Sequence, residues 1–302
     1  MVKRIVESLA CGLTLLLLAS VNFGQVKVAA GDVKDTRRSD GFFNKLEVQL
    51  KITGEGLKGA RGIKVSVAKA QDDTGKNLIP DEKRDKRFEE IDPSDENESK
   101  LDIELKSPER RAMTVQEIAG NLEIFSPQRD PRSIVIVPSF LKTTGKPIAS
   151  PVLKAAGVEV TVWTKDIYDA RKKAEEERVK KEMDERAKKA EQSGKLEDAV
   201  ELLGESLVKI FGGMFSSFAD MEENDIAFNV KDPDSKLVSI EIEDEKGKAV
   251  ERGGRMTIGG EPRTMIYSLK EKLPPTARIK LYVLTPRSVM TVPFKLTGVA
   301  LP

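Results

Sequence analysis

The sequence predicts a mainly β protein with a helical insert: two immunoglobulin-like antiparallel β-sandwich domains separated by a charged helical segment. Two patterns support this fold class. Many short segments alternate apolar and polar residues and are separated by Gly or Pro, which is typical of strands with one buried face. A central segment is dense in charge, which indicates a solvated helix. The length of 302 residues exceeds the size at which one core usually keeps growing, so two β domains are expected.

The N-terminus has the pattern of a secretory signal. Lys3 and Arg4 precede the apolar run Leu9–Val21, as a basic region precedes the apolar core of a signal peptide. The run is shorter than the roughly 20 residues that a membrane-spanning helix needs. We therefore predict a signal peptide over 1–24, with cleavage as late as residue 30, and an exported, periplasmic or extracellular protein.

The first β domain is predicted over 42–164, after a polar linker at Gly31–Asp40. Apolar residues alternate along several predicted strands, near Leu46–Ile52, Ile63–Val67, Leu101–Leu105, Leu122–Ile124 and Val158–Val162. The continuous apolar run Ile134–Val137 suits a strand covered on both sides. The stretch 80–100 carries dense mixed charge that cannot bury much surface, so we expect an exposed loop there.

The helical segment is predicted over 165–222 and contains two unlike helices. The first, Ala170–Glu191, is almost entirely charged residues and alanine, with many acid-to-base pairs four residues apart that stabilise a solvated helix. Asp166 is the expected cap. The second is amphipathic, with an apolar seam typical of a helix that packs on a partner. Its possible interaction face is Leu203, Leu207, Ile210, Phe211, Met214, Phe215 and Phe218.

This apolar face has more surface than the first helix can cover. Three partners are open: the protein's own sandwich, a second copy or another exported protein through a coiled coil, and a membrane surface. The acidic residues Asp220, Glu222 and Glu223 that follow the face disfavour anionic lipid. Self-docking or association is therefore expected, with no stable membrane span after signal cleavage and no nucleic-acid partner, since the formal net charge is only +1.

The second β domain is predicted over 225–302. Its strands alternate near Ile226–Val230, Val238–Ile242, Ile279–Val283 and Val292–Leu296. Turns are expected at Asp232–Asp234, Gly253–Gly254 and Gly259–Gly260.

Two pairs of similar sequence segments indicate that the β domains are divergent copies. Asp73–Leu78 (DTGKNL) resembles Glu245–Val250 (EKGKAV), and each follows an alternating strand. Pro108–Val115 (PERRAMTV) resembles Pro286–Val292 (PRSVMTV) with one gap. Both pairs occur in the same order, as expected of an internal repeat.

Composition excludes several kinds of chemistry. The chain has no histidine, and its one cysteine, Cys11, lies in the predicted signal. Histidine-dependent triads, thiol chemistry and most transition-metal sites are therefore excluded from the exported part. We predict no catalytic residue, no cofactor and no metal site. The acids Asp92, Asp95, Glu96 and Glu98, and the pair Asp232 and Asp234, lack the spacing of a known calcium loop, so solvated turns are expected.

These observations predict a secreted, non-catalytic structural or protein-interaction protein, with the ligand left open. One alternative is a cell-surface or carbohydrate-binding adhesion module, which needs an exposed row of aromatic side chains. The other is a carboxylate-dependent hydrolase, which needs two acids about 5 to 10 Å apart in one cleft.

Overall fold

The structure, a computed structural model, describes residues 26–37, 44–81, 87–91, 97–193 and 220–302. The protein is mainly β: its strands form four sheets in which all paired neighbours are antiparallel. Within these ranges there are two α-helices, α1 (Pro151–Ala156) and α2 (Lys165–Ser193).

The strands follow one another along the chain with mostly short connections. In chain order they are β1 (Lys27–Thr36), β2 (Lys45–Thr53), β3 (Gly62–Asp72), β4 (Glu89–Glu90), β5 (Glu98–Leu105), β6 (Thr114–Phe125), β7 (Ile134–Val137), β8 (Glu159–Trp163), β9 (Ile226–Lys231), β10 (Leu237–Glu243), β11 (Arg252–Ile258), β12 (Arg263–Leu269), β13 (Arg278–Val283) and β14 (Val289–Ala300).

The sheets pack as two pairs, each around its own hydrophobic core. In the first sheet pair, β1-β2-β5 packs against β14-β6-β3-β4. In the second sheet pair, β10-β13-β7 packs against β11-β12-β9-β8. The cores follow from period-two alternation: Leu46, Val48 and Leu50 on β2 have no exposed surface, while the residues between them face outward. This packing fits a β-sandwich arrangement.

The two sheet pairs exchange their last strands. β7 pairs with β13, where Val137 lies opposite Ile279, and β14 pairs with β6, where Lys295 lies opposite Ala119. The predicted ranges 42–164 and 225–302 group the strands differently: β7 and β8 of the first range lie in the second sheet pair, and β14 of the second range lies in the first. Alternation shows which face of a strand is buried but not which sheet it joins.

The connections from β6 to β7 and from β13 to β14 run side by side where the strands cross over. The Ser126 N–H donates to the Ser288 carbonyl at 2.8 Å, and the Thr285 hydroxyl donates to the buried Asp130 carboxylate at 2.8 Å. Asp130 also accepts two bonds from the Arg132 guanidinium, each 3.0 Å. The guanidinium, helped by Thr285, holds the pKa of Asp130 well below its usual value. These hydrogen bonds hold the two connections together where the strands cross over.

The two sheet pairs also touch through a small apolar cluster. It contains the buried side chains of Phe88, Phe125, Val238 and Tyr282. The Tyr282 hydroxyl donates to Glu241 at 2.7 Å, and burial and this bond raise the pKa of Tyr282. The two sheet pairs are therefore joined by packing as well as by the exchanged strands.

Four local predictions are corrected. The predicted linker at Gly31–Asp40 instead lies largely in β1, an edge strand whose short polar residues obscure the alternation. Ile134–Val137 is an edge strand, not one covered on both sides, and Ile136 is 51% exposed. Gly253–Gly254 lies inside β11 instead of a turn. In the stretch 80–100, Phe88 and Ile91 are buried next to β4, and β5 begins at Glu98.

The first pair of similar segments, Asp73–Leu78 and Glu245–Val250, forms the same turn in both sheet pairs. After β3, Asp72 accepts from the Thr74 and Lys76 N–H groups. After β10, Asp244 accepts in the same way from the N–H groups of Lys246 and Lys248. Gly75 and Gly247 both have positive φ, 94° and 84°, which favours glycine. The two turns are therefore structural equivalents.

The second pair of similar segments does not lie at equivalent positions of the two sheet pairs. Pro108–Val115 leads into β6 and Pro286–Val292 leads into β14, and these strands are direct neighbours in one sheet. The similarity therefore does not support an internal repeat.

Candidate functional site

Helix α2 begins at the edge of the second sheet pair. Its first turn packs into a small apolar cluster in which Trp163, Tyr168 and Met221 are buried. Arg171 lies over the Trp163 ring, 4.8 Å from its centre. Burial raises the pKa of Tyr168 to about 12, so this tyrosine stays protonated at neutral pH. Trp163 is therefore part of a buried cluster.

Polar contacts tie the base of α2 to the segment that leads into β9. The Lys165 ammonium donates to Asp169 at 3.0 Å and to the Met221 carbonyl at 2.8 Å. Lys172 donates to Asp220 at 3.0 Å. The Asp169 contact raises the pKa of Lys165, and the Lys172 contact lowers the pKa of Asp220. The chain therefore leaves the second sheet pair in α2 and returns beside the same helix.

Beyond its base, α2 presents a solvated surface. Of the residues from Asp169 to Glu182, Lys172 and Glu175 are half-buried, Val179 is buried, and the others are exposed. Arg178 bridges Glu175 and Glu182, at 2.5 and 3.1 Å. The helix starts at Lys165, so Asp166 lies in its first turn and is not its cap. A helix of 29 residues extends about 43 Å at 1.5 Å per residue.

The predicted interaction face lies outside the described residues. This applies to all of its members: Leu203, Leu207, Ile210, Phe211, Met214, Phe215 and Phe218. Among the helices that the structure describes, none combines the length and apolar character that crossing a membrane requires.

Of the acidic residues considered for calcium, Asp232 has structural partners. Asp232 is buried and accepts from the N–H groups of Lys236 and Leu237 at 2.8 and 2.9 Å. It also pairs with the buried Arg263 guanidinium. Glu98 lies in β5, and Asp92, Asp95 and Glu96 fall outside the described residues. Within the described ranges no group of acids is arranged to hold a metal ion.

Aromatic side chains do not form an exposed row in the described ranges. All nine of them are buried: Phe88, Phe125, Phe140, Trp163, Tyr168, Phe228, Tyr267, Tyr282 and Phe294. A flat sugar-binding platform needs exposed rings, so this part of the chain lacks the feature on which the adhesion alternative depends.

A cleft of about 670 Å³ opens at the side of the first sheet pair, between the edges of β5 and β4 and facing β11. Its floor is apolar and includes Ile63, Val65 and Leu101, while acidic side chains dominate its rim. From β11, Arg255 reaches Glu90 of β4 across the cleft. Sequence reasoning did not find this cleft, although two apolar residues, Phe88 and Ile91, interrupt the charged stretch that was predicted to be a loop.

One acid pair on the outer face of the β5 sheet has its charge balanced. Glu47 and Glu104 lie opposite each other, and the Lys45 ammonium contacts both, at 2.8 and 2.5 Å. The hydrogen bond from Lys45 lowers the pKa of Glu47. A lowered pKa is the opposite of what a general acid requires.

No family model, curated protein or solved structure matches this chain. Relatives therefore give no information about its role, which has to be inferred from its own geometry: two sheet pairs linked by exchanged strands, a long exposed helix and a side cleft.

Proposed function

We propose that this is an exported structural or protein-interaction protein, in which two immunoglobulin-like sandwiches with exchanged last strands carry a helical association element. The strand orders support the architecture. β1-β2-β5 corresponds to β8-β9-β12, and β14-β6-β3 corresponds to β7-β13-β10. Six strands of each half of the chain thus correspond in the same order, and the last of each six lies in the other half's sheet, as in domain swapping. The remaining strands, β4 and β11, join different edges.

Export is supported by the basic and apolar pattern of the first residues. A cut near Gly24 leaves β1 intact, because β1 starts at Lys27, whereas a cut after Ala30 removes part of it. Cleavage near Gly24 is therefore part of the proposal. The cores in the two sheet pairs contain no cysteine and depend on apolar packing alone, which suits domains of this size.

The single observation that carries the association role is the anchoring of α2. The helix is 29 residues long, and among the described residues its main contacts with the sheets are those with β8 and β9 at its base. Its exposed charges keep the helix solvated without requiring further contact with the sheets. This anchoring supports the proposal that the helical segment, predicted over 165–222, is available to a second copy or to another exported protein.

Light scattering tests this role with the protein and a variant that lacks 170–218. The ends of the deletion lie close together because Lys172 contacts Asp220, so a short Gly-Ser linker joins them. We expect the protein to be oligomeric and the deletion variant to be monomeric with the same melting temperature.

Two results would contradict the association role. Equal monomeric masses for both proteins would show that the segment does not mediate association. Unfolding of the deletion variant would show that the segment is needed by the sheets themselves. The matched control is the charge reversal Glu177→Lys on α2. Glu177 is exposed and lies off the stripe formed by Tyr168, Lys172, Glu175 and Val179. We expect this variant to keep the mass of the unaltered protein.

A further inference from the structure

The two sheet pairs differ at one equivalent edge. In the second pair, β11 lies beside β12, and the inward-facing Ile240 and Ile242 of β10 are only 1% and 2% exposed. In the first pair, β5 corresponds to β12, and no strand of the described residues lies on its outer side. There the inward-facing Val65 and Val67 of β3 are only partly buried.

The cleft lies at this open edge. Leu101 of β5 and Val65 of β3 form part of its apolar floor. β4 covers only the start of β3, since it pairs with Gly62 and Ile63 alone. Among the described residues no strand pairs with this edge of β5, which lies next to an incompletely covered core, and this arrangement accepts an added strand.

The side chains of β5 indicate which strand would fit. Inward-facing Leu101, Ile103 and Leu105 alternate with exposed outward-facing residues. Three of the four outward-facing residues are acidic, Glu98, Asp102 and Glu104, and the fourth is Lys100. Lys45 already contacts Glu104, so Glu98 and Asp102 are the acids that a partner strand would meet. Directly opposed cross-strand side chains favour opposite charges. A complementary strand thus alternates apolar residues with basic ones.

We propose that the edge of β5 is a binding site for an extended peptide segment of a partner protein, with basic and apolar residues in alternation. The segment pairs with β5 through its backbone, as β11 pairs with β12. Its apolar residues cover Val65 and Leu101, and its basic residues lie beside Glu98 and Asp102. This site does not involve the helical segment, so its test is independent of the association role.

Two synthetic octapeptides test the site, one of alternating lysine and valine and one of alternating glutamate and valine. We expect the lysine peptide, and not the glutamate peptide, to slow amide exchange in residues 98–105. A third peptide, the lysine form with an N-methyl group on every backbone nitrogen, keeps its charge but cannot donate a backbone hydrogen bond along either edge. We expect it to give no protection, because strand addition depends on backbone hydrogen bonds.

Charge reversal in the protein completes the test. Asp102→Lys should weaken binding of the lysine peptide by roughly three- to tenfold, the size expected for one or two cross-strand charge pairs. The matched control is Glu159→Lys on β8, which is also exposed but remote from the cleft, and it should leave binding unchanged. Asp102 faces outward, so its reversal should leave the melting temperature nearly unchanged.

Several outcomes would overturn the proposal. One is equal binding of the N-methylated peptide, which would show charge attraction without strand pairing. Another is equal weakening by the two charge reversals. A third is protection of residues 98–105 that grows with protein concentration in the absence of peptide, which would assign the edge to a second copy of the chain.

Discussion

Gly120 shows at the scale of one residue how closely β3 and β6 approach each other. A Cβ at this position would lie 2.1 Å from the Ser66 backbone oxygen, in a part of the ladder where β3 is bulged. We predict that Gly120→Ala lowers the free energy of unfolding by about 1 to 3 kcal/mol, as overpacking usually does. Urea denaturation measures the change.

Gly254 provides the control for this substitution. It also lies in a strand, β11, but a Cβ there would meet no atom within 4 Å. Gly254→Ala should change stability by no more than about 0.5 kcal/mol. Equal effects of the two substitutions would mean that β3 and β6 do not approach as described.

The repeated turns allow a paired prediction. Asp72 has no exposed surface and accepts from the Glu109 N–H at 2.9 Å in addition to its two turn bonds. Asp244 is only half-buried, and its bonds are those of the turn. We predict that Asp72→Ala costs about 1 to 3 kcal/mol, because it leaves buried N–H groups unpaired. Asp244→Ala should cost less in the same denaturation experiment, and the reverse order would contradict this account.

The lowered pKa of Asp72 should make the stability of the protein depend on pH. Burial alone would raise the pKa of Asp72, but hydrogen bonds from Glu109, Thr74 and Lys76 lower it below its ordinary value of 3.8. A group whose pKa is lowered on folding stabilises the protein above its unfolded pKa and loses that contribution as the pH falls through its folded pKa. Stability should therefore fall more steeply below about pH 4 in the unaltered protein than in Asp72→Asn. Parallel profiles from thermal melts would contradict this expectation.

At the scale of the element, the exchanged strand β14 can be tested by a disulfide. Ala119 and Lys295 are direct partners across β6 and β14, and antiparallel partners lie about 4.5 to 5.5 Å apart, within disulfide range. We predict that Ala119→Cys with Lys295→Cys forms a crosslink within one chain. The chain's one cysteine is Cys11, and the additional substitution Cys11→Ser leaves no competing thiol. Non-reducing electrophoresis and peptide mass mapping detect the bond.

The outcome distinguishes two ways of exchanging strands. A crosslink within monomers agrees with the pairing described above. Crosslinked dimers would show that β14 completes the sheet of another molecule. In a control pair, Ala119→Cys with Lys270→Cys, the two cysteines lie in different sheet pairs. This pair should remain reduced.

Most elements were predictable because alternation depends on local physics. Residues such as Leu46 to Ile52 bury every second side chain, and the pattern is visible without knowledge of the partner strand. β1 and β11 were missed because they are edge strands rich in glycine and charge. The partners of β7 and β14 could not be predicted, since the same apolar face fits either sheet. The cleft was missed because it depends on a strand position left open in one sheet pair and filled in the other.

At the scale of the whole molecule, strand exchange makes the two sheet pairs interdependent. Removing β14 uncovers β6 and takes Phe294, Leu296 and Val299 from the first core. We predict that a chain ending at Ser288 loses its cooperative thermal transition and that a peptide of residues 289–302 restores it. The intact protein should unfold in one transition whose calorimetric and van't Hoff enthalpies agree.

The control for this truncation removes only Leu301 and Pro302. β14 ends at Ala300, so the cooperative transition should persist. Two separate transitions in the intact protein, or an unchanged transition after the removal of β14, would show that each sheet pair is stable by itself.

The exchange also determines what happens if the backbone is cut. A single cleavage between α2 and β9 yields one fragment with β1 to β8 and another with β9 to β14. The second fragment supplies β14 to the first sheet pair, and the first supplies β7 and β8 to the second. The fragments therefore complement each other and stay joined without a peptide bond, so a protease acting on the helical segment would nick this protein without dividing it.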